Sequence, residues 1–202
     1  VLLGAKENFD FISSILINLN PSTCEKLIWR LKEEKKVEKK ISIIQALADN
    51  GCCDSERQVR CFMFDKNRKV QQTARSAAEK LRRLPPLPLT LRTFGDFRLK
   101  VGSRDVPPGT WKRKKAISLL VYFLMRSNQK IEQEKLMEDF FPEASPSKAK
   151  SHVQSLVSHL RTILEPGLPP KKESKYITAE SGGYFIVLPE NSYVGVFEFE
   201  RL

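Results

Sequence analysis

The stretch SPSKAKSHVQSLVSHLRTIL, Ser145 to Leu164, decides the fold. Ala149, Val153, Leu156, Val157, Leu160 and Leu164 recur at i, i+4 and i+7, the period of a helix with one buried side. Ser145 can cap that helix, and Pro146 suits its first position, where a missing N–H costs nothing. The opposite side carries Lys148, Ser151, His152, Ser155, His159 and Thr162, all small, polar or basic. A solvated helix face is ordinarily rich in Glu–Lys pairs, yet no acidic residue occurs between Ser145 and Leu164. A helix entering the major groove needs this division, with one side anchored in its own domain and the other free to meet base edges and phosphates. A merely solvated face is the competing reading.

Upstream of this helix, Leu89, Leu91, Phe94, Phe97, Leu99 and Val101 alternate between the turn residues Gly95-Asp96 and Gly102-Ser103, which predicts a small β-meander. A long amphipathic helix is expected from about Trp111 to Arg126, burying Ala116, Leu119, Leu120, Phe123 and Leu124. A second helix carries Leu136, Met137 and Phe140. Downstream, Tyr176-Ile177-Thr178 and Tyr184 to Val187 flank Ser181-Gly182-Gly183, a β-hairpin whose glycines supply positive φ. Sheet, three helices and terminal hairpin, in that order, form the layout of a winged helix with an N-terminal sheet.

Lys112-Arg113-Lys114-Lys115 opens the first of those helices. Cations there oppose the helix dipole, and phosphate contact would compensate; a solvated basic cluster is the alternative. Lys171, Lys172 and Lys175 lead into the hairpin, where a wing would meet backbone phosphate or the minor groove, with Ser181 in its turn.

The strongest punctuation in the chain is Leu84-Pro85-Pro86-Leu87-Pro88, which ends one region and reads as a short, stiff linker over 85–88. Everything before it reads as helix. Phe9, Ile12, Ile15, Leu16 and Leu19 are followed by Leu27, Ile28 and Leu31, then by Val37, Ile41, Ile44 and Leu47 ending at Asn50-Gly51. A short helix around Val59 to Phe64, a break at Asp65-Lys66-Asn67 and a helix with Val70, Ala74, Ala77, Ala78 and Leu81 complete the series. Lys36-Val37 through Leu47 and Lys69-Val70 through Leu81 repeat at an offset of about 33–34 residues. With Asp65 at the turn, Val70 starting a second helix and small alanines behind it, residues 1–84 resemble HEAT-type helical repeats. An unrelated small helical bundle fits the same pattern.

The formal charge of +11 favours a polyanionic partner such as nucleic acid or acidic lipid. Both halves share it: residues 1–85 hold 17 Lys and Arg against 11 Asp and Glu, and residues 86–202 hold 18 against 13. Cys24, Cys52, Cys53 and Cys61 lack zinc-site spacing and read as free thiols of a reducing cytoplasm. No signal peptide and no apolar run of ~18 residues is present. The chain opens on Val1 without a Met and closes on Leu202 in mid-pattern, so it reads as a piece of something longer.

From Leu89 to about Leu188 the chain resembles the OmpR-type winged-helix domain of the Streptomyces antibiotic regulatory proteins, a family of bacterial transcriptional activators. The matching residues are Leu91 to Phe97, Trp111 to Ala116 with Leu119-Leu120, and Phe141-Pro142 before Ser145-Pro146. Ala149, Val157 to Arg161, Leu164-Glu165-Pro166 and Gly182-Gly183-Tyr184 continue the series. The resemblance implies that 147–164 is the recognition helix, with Arg161 near its end, and that 179–184 is the wing. It also implies head-to-tail dimers on direct repeats of double-stranded DNA and recruitment of RNA polymerase. The family commonly shows Arg or Asn where this chain has Ser151 and His152, so no operator carries over. It usually continues into an all-helical activation domain of tetratricopeptide type, whose start Tyr193 to Leu202 resembles, with Gly195 where Asp is common.

The expected architecture is therefore mainly α in two domains: HEAT-like repeats over 1–84, a linker over 85–88, an α+β winged helix-turn-helix over 89–189, and a truncated following domain over 190–202. The expected function is a cytoplasmic, sequence-specific DNA-binding transcription regulator. The alternative is a protein-interaction module whose winged helix serves as a docking surface. Catalysis is not expected: His152 and His159 are too far apart for an i, i+4 metal pair, no phosphate-cradling Gly loop is present, and no cofactor or metal is implied.

Overall fold

The computed structural model describes residues 21–50, 55–93, 95–169 and 172–195. The apolar series from Phe9 to Leu19, the stop at Gly51, Cys52, Cys53, Phe94, Lys171 and residues 196–202 lie outside the described residues, as does the side chain of Cys24. Two compact units divide the chain, Val1–Leu84 and Pro85–Leu202. Among the described residues they hold seven α-helices and two small sheets, a mixed architecture in which helix predominates. No helix among them is long and apolar enough to cross a membrane, and no group of three or more metal-ligating side chains occurs there.

The first unit contains α1 (Pro21–Glu33), α2 (Val37–Asn50), α3 (Ser55–Cys61) with a 3₁₀ turn at Phe62–Phe64, and α4 (Arg68–Arg83). Ile43, Ile44, Leu47 and Ala48 of α2 share one core with Val70, Ala74, Ala77, Ala78 and Leu81 of α4, and Leu31 and Val59 close it. The three alanines let α2 and α4 approach closely. Val37 and Ile41 pack at the margin of this core, while Ile43 is buried within it. The predicted break at Asp65 is a built turn. The Asp65 carboxylate takes the Lys40 ammonium at 2.7 Å and the Asn67 N–H at 2.8 Å. Asn67 in turn caps α4, accepting from the N–H groups of Lys69 and Val70. Lys40 and the Asn67 amide hold the Asp65 carboxyl below the ordinary Asp range. Cys61 is exposed and not disulfide-bonded.

The second unit opens with β1 (Leu89–Arg92), β2 (Arg98–Val101) and β3 (Arg104–Asp105), an antiparallel meander turning on Gly95 and Gly102 at φ +76° and +58°. After a 3₁₀ turn at Pro108–Thr110 come α5 (Lys114–Met125), β4 (Lys130–Glu132), α6 (Gln133–Phe140) and α7 (Pro146–Leu164). The chain then forms β5 (Ile177–Glu180), β6 (Gly183–Ile186) and β7 (Tyr193–Val194). Ala149, Val153, Leu156, Val157, Leu160, Ile163 and Leu164 of α7 are buried, most of them against Phe123, Leu120 and Leu124 of α5 and Leu136 of α6. Each large apolar side chain so buried contributes ~1.5–3 kcal/mol. That term, rather than capping, fixes which side of α7 faces out: Ser145 is the N-cap residue but makes no side-chain cap hydrogen bond.

Several expectations need correction. The first long helix starts at Lys114, not Trp111, because Pro107-Pro108 and Gly109 spend the approach on a 3₁₀ turn. Trp111 instead packs edge-on against Phe97, with ring centroids 5.2 Å apart. The terminal hairpin gains a third strand, β4, in a sheet of order β4-β6-β5, because Ile131 pairs with Tyr184 on the central β6. Of the hairpin glycines only Gly182 has positive φ, +80°; Gly183 serves close approach, since a Cβ there would lie 2.5 Å from the Ile131 carbonyl oxygen. At the start of the segment read as opening a following domain, Tyr193-Val194 forms β7, parallel to β1, with Val194 in the core and Ser192 Oγ accepting the Leu89 N–H at 2.9 Å. The prolyl linker is partly absorbed too: Leu87 packs on the core and its carbonyl accepts the Tyr176 hydroxyl at 2.8 Å.

Candidate nucleic-acid interface

At 100° per residue, the exposed side of α7 is centred on Ser151, Ser155, Ser158 and Thr162. Lys148, His152 and His159 run along one border, and Lys150, Gln154 and Arg161 along the other. Lys150, Gln154 and Ser158 join the face although the sequence reading passed over them; the helical period alone places them there. No carboxylate stands anywhere on the helix.

The border of histidines is built against the start of α5. Arg113 is the N-cap of α5, with extended backbone, and its Nη1 donates to Ser155 Oγ at 2.9 Å. Lys115 donates to the Phe140 carbonyl at 2.6 Å while its ammonium lies 4.3 Å over the Phe141 ring, and His152 stacks on that ring at 5.1 Å. Two members of the basic run thus hold the α5 start and the end of α6 against α7. Lys115 is exposed and also serves as a strut. Lys112 and Lys114 are exposed and have no ion-pair partner among the described residues.

His159 is half-buried, and its Nε2 is buried without a hydrogen-bond partner among the described residues. Burial lowers its pKa, and the positive Arg113 and Lys112 lower it further. It is a neutral wall of the α5–α7 junction and less able to reach a base edge than its place in the sequence pattern suggests.

The other border meets the hairpin. Arg161 Nε donates to the Ile177 carbonyl at 3.0 Å, so this edge of the guanidinium ties α7 to β5. Thr162 Oγ1 donates back to the Ser158 carbonyl at 3.1 Å, leaving its hydroxyl an acceptor only. The start of the hairpin is fixed by a knot that pattern reading missed. Buried Ser174 donates to the Glu165 carboxylate, which also accepts the Lys175 N–H, and Ser174 Oγ accepts the N–H groups of Tyr176 and Ile177. Lys175 is half-buried beside this knot rather than projecting from it. Ser181 and Gly182 form the exposed tip, next to the exposed carboxylate of Glu180.

The end of α7 is held by Arg104, whose Nη2 donates to the carbonyls of Ile163 at 2.8 Å and Leu164 at 3.2 Å. These carbonyls belong to the last turn, where a cation also complements the helix dipole. Nothing in the local sequence announces this contact, which spans the meander and two helices. Comparison with protein-family models, with curated proteins and with solved structures matches the chain to none of them.

Proposed function

We propose that the second unit is a winged helix-turn-helix that binds duplex DNA sequence-specifically, as part of a transcription regulator. One observation carries this reading: α7 exposes hydroxyls, an amide, the His152 imidazole and ammonium groups over its 19 residues and no carboxylate. A helix is 10–12 Å across and the major groove ~12 Å wide, so such a face can enter it without meeting a like charge. Lys112 and Lys114 then meet phosphates along one wall, and the Ser181-Gly182 tip meets backbone or minor groove along the other. The serine hydroxyls face the base edges, with Lys148 and Lys150 at the entry. Under this reading Arg113, Lys115, Arg161, Arg104 and the Glu165–Ser174 knot position the helix. The resemblance to the antibiotic regulatory proteins adds RNA polymerase and a homodimer on direct repeats to the partners, and a cytoplasmic site of action.

The test is binding of the full chain to duplex DNA at several salt concentrations. Affinity falls log-linearly with salt, and Lys114→Glu with Lys148→Glu lowers both affinity and slope. Very weak, salt-independent binding refutes the reading and favours a docking surface for another protein.

A further inference from the structure

We infer that α4 of the first unit carries a second contact surface for the phosphate backbone of duplex DNA; this rests on the DNA-binding reading of the second unit. The buried side of α4 is Val70, Ala74, Ala77, Ala78 and Leu81. Its outward side runs Arg68, Gln72, Arg75, Glu79 and Arg83, with Lys69 beside it, all exposed. An ordinary solvated helix pairs such cations with carboxylates one turn away. Here Glu79 is the one carboxylate on the helix, and it lies one turn from both Arg75 and Arg83. Neither forms an ion pair with it, and Arg68, Lys69, Arg75 and Arg83 have no ion-pair partner among the described residues. Lys80, by contrast, is spent on Asp49 at 2.5 Å.

The first turn of α4 holds Arg68 and Lys69 and no acidic residue, so two cations sit where the helix dipole disfavours them. The same arrangement recurs at the start of α5, with Lys114 and Lys115. An external anion relieves that opposition in both places. Arg68 to Arg83 spans ~22 Å at 1.5 Å per residue, the length of roughly six base pairs at 3.4 Å each. Arg68, Arg75 and Arg83, interrupted on that side by Gln72 and the carboxylate of Glu79, spread their charge over a length that fits a repeating phosphate strand better than a single bound ion.

The experiment uses the full chain and the triple variant Arg68→Ala, Arg75→Ala, Arg83→Ala. All three side chains are exposed, so the fold is retained and circular dichroism checks it. Three lost phosphate contacts reduce the log–log salt slope by about 2.7 on a duplex of roughly 30 base pairs. The wild type then loses about 40-fold more affinity than the variant between 50 and 200 mM salt. An unchanged slope on the long duplex, with Lys114→Glu and Lys148→Glu still weakening binding, overturns the α4 surface and leaves the α7 reading intact. A reduced slope in the triple variant, with those two changes silent, removes the α7 reading and with it the premise of a second surface. Phe64, 86% exposed just before α4, is the anchor a protein partner would use instead. A Phe64→Ala change that weakens DNA binding as much as the triple variant overturns the phosphate assignment.

Discussion

Replacing Gly183 by Ala tests the placement of the hairpin against the rest of the second unit. Gly183 lies between Glu132 on β4 and Glu180 on β5. A Cβ there would stand 2.5 Å from the Ile131 carbonyl oxygen and 3.1 Å from its carbon. Ordinary C···O contacts begin near ~3.3 Å, so β4 has to retreat by roughly 0.8 Å. Both partners are backbone, and no rotamer change relieves the clash. The retreat loosens the Ile131–Tyr184 pairing and the bond from Gln133 N–H to the Gly182 carbonyl, 2.9 Å long. Overpacking costs ~1–3 kcal/mol and each weakened backbone hydrogen bond adds up to ~1 kcal/mol. The expected loss is about 2–4 kcal/mol.

Gly182 supplies the control. It holds φ at +80°, but the nearest atom to an added Cβ is the flexible Glu132 Oε2 at 3.7 Å. Gly182→Ala therefore costs only the left-handed penalty, ~1–2 kcal/mol. The chain has two tryptophans, Trp29 and Trp111. In a Trp29→Phe background, Trp111 fluorescence during urea unfolding reports the second unit alone. With a slope of ~1–3 kcal/mol per M, Gly183→Ala lowers the midpoint by about 1–2 M, and Gly182→Ala by roughly half that. A Gly182 effect equal to or larger than the Gly183 effect refutes the close-approach argument.

Two further predictions concern the ends of the proposed recognition helix. Arg104→Ala leaves the Ile163 and Leu164 carbonyls without their charged donor and destabilises the second unit by ~1.5–3 kcal/mol; faster amide exchange in the last turn of α7 is the check, and a loss below ~0.5 kcal/mol rules the cap out. His159 has a lowered pKa through burial and the neighbouring Arg113 and Lys112. As pH falls from about 6.5 the unfolded chain takes up that proton first, so the second unit loses stability down to the lowered pKa. His159→Gln flattens this part of the urea-midpoint profile, and an unchanged profile in that variant rejects the assignment.

What was legible in the sequence was local. The buried series of α7, the turns at Gly95 and Gly102 and the hairpin around Gly182 all follow from residues within a few positions of each other. β4 was not legible: Lys130-Ile131-Glu132 offers one apolar residue, and it is a strand only because β6 stands beside it. β7 is hidden for the same reason, since two residues become a strand by pairing with β1. Among the candidate site residues the period found the exposed face but could not assign duties within it. Arg113, Lys115 and Arg161 read only as cations, whereas each also donates within the fold, to Ser155 and to the carbonyls of Phe140 and Ile177. Arg104 carried no local signal, because its partners lie on an element brought close only by the finished fold.

The division of labour on α7 bears on how a sequence would be read. Cations stand at the borders of the face, while its centre is Ser151, Ser155, Ser158 and Thr162. Border cations supply affinity through phosphates and carry no sequence information. A short hydroxyl can donate or accept and is tolerant of the base it meets, unlike a bidentate Arg or Asn. It also lacks the reach to compensate for a displaced helix. On the DNA-binding reading, discrimination then depends on how accurately α7 is held, which gives a physical reason for a scaffold with so many polar struts at its edge. Arg113 holds Ser155 at the centre of the face, Arg161 holds one border and Arg104 the end, each through a hydrogen bond of 2.8–3.0 Å. Loosening a strut should therefore erode preference between sequences before it erodes affinity, whereas removing Lys114 or Lys148 should do the reverse.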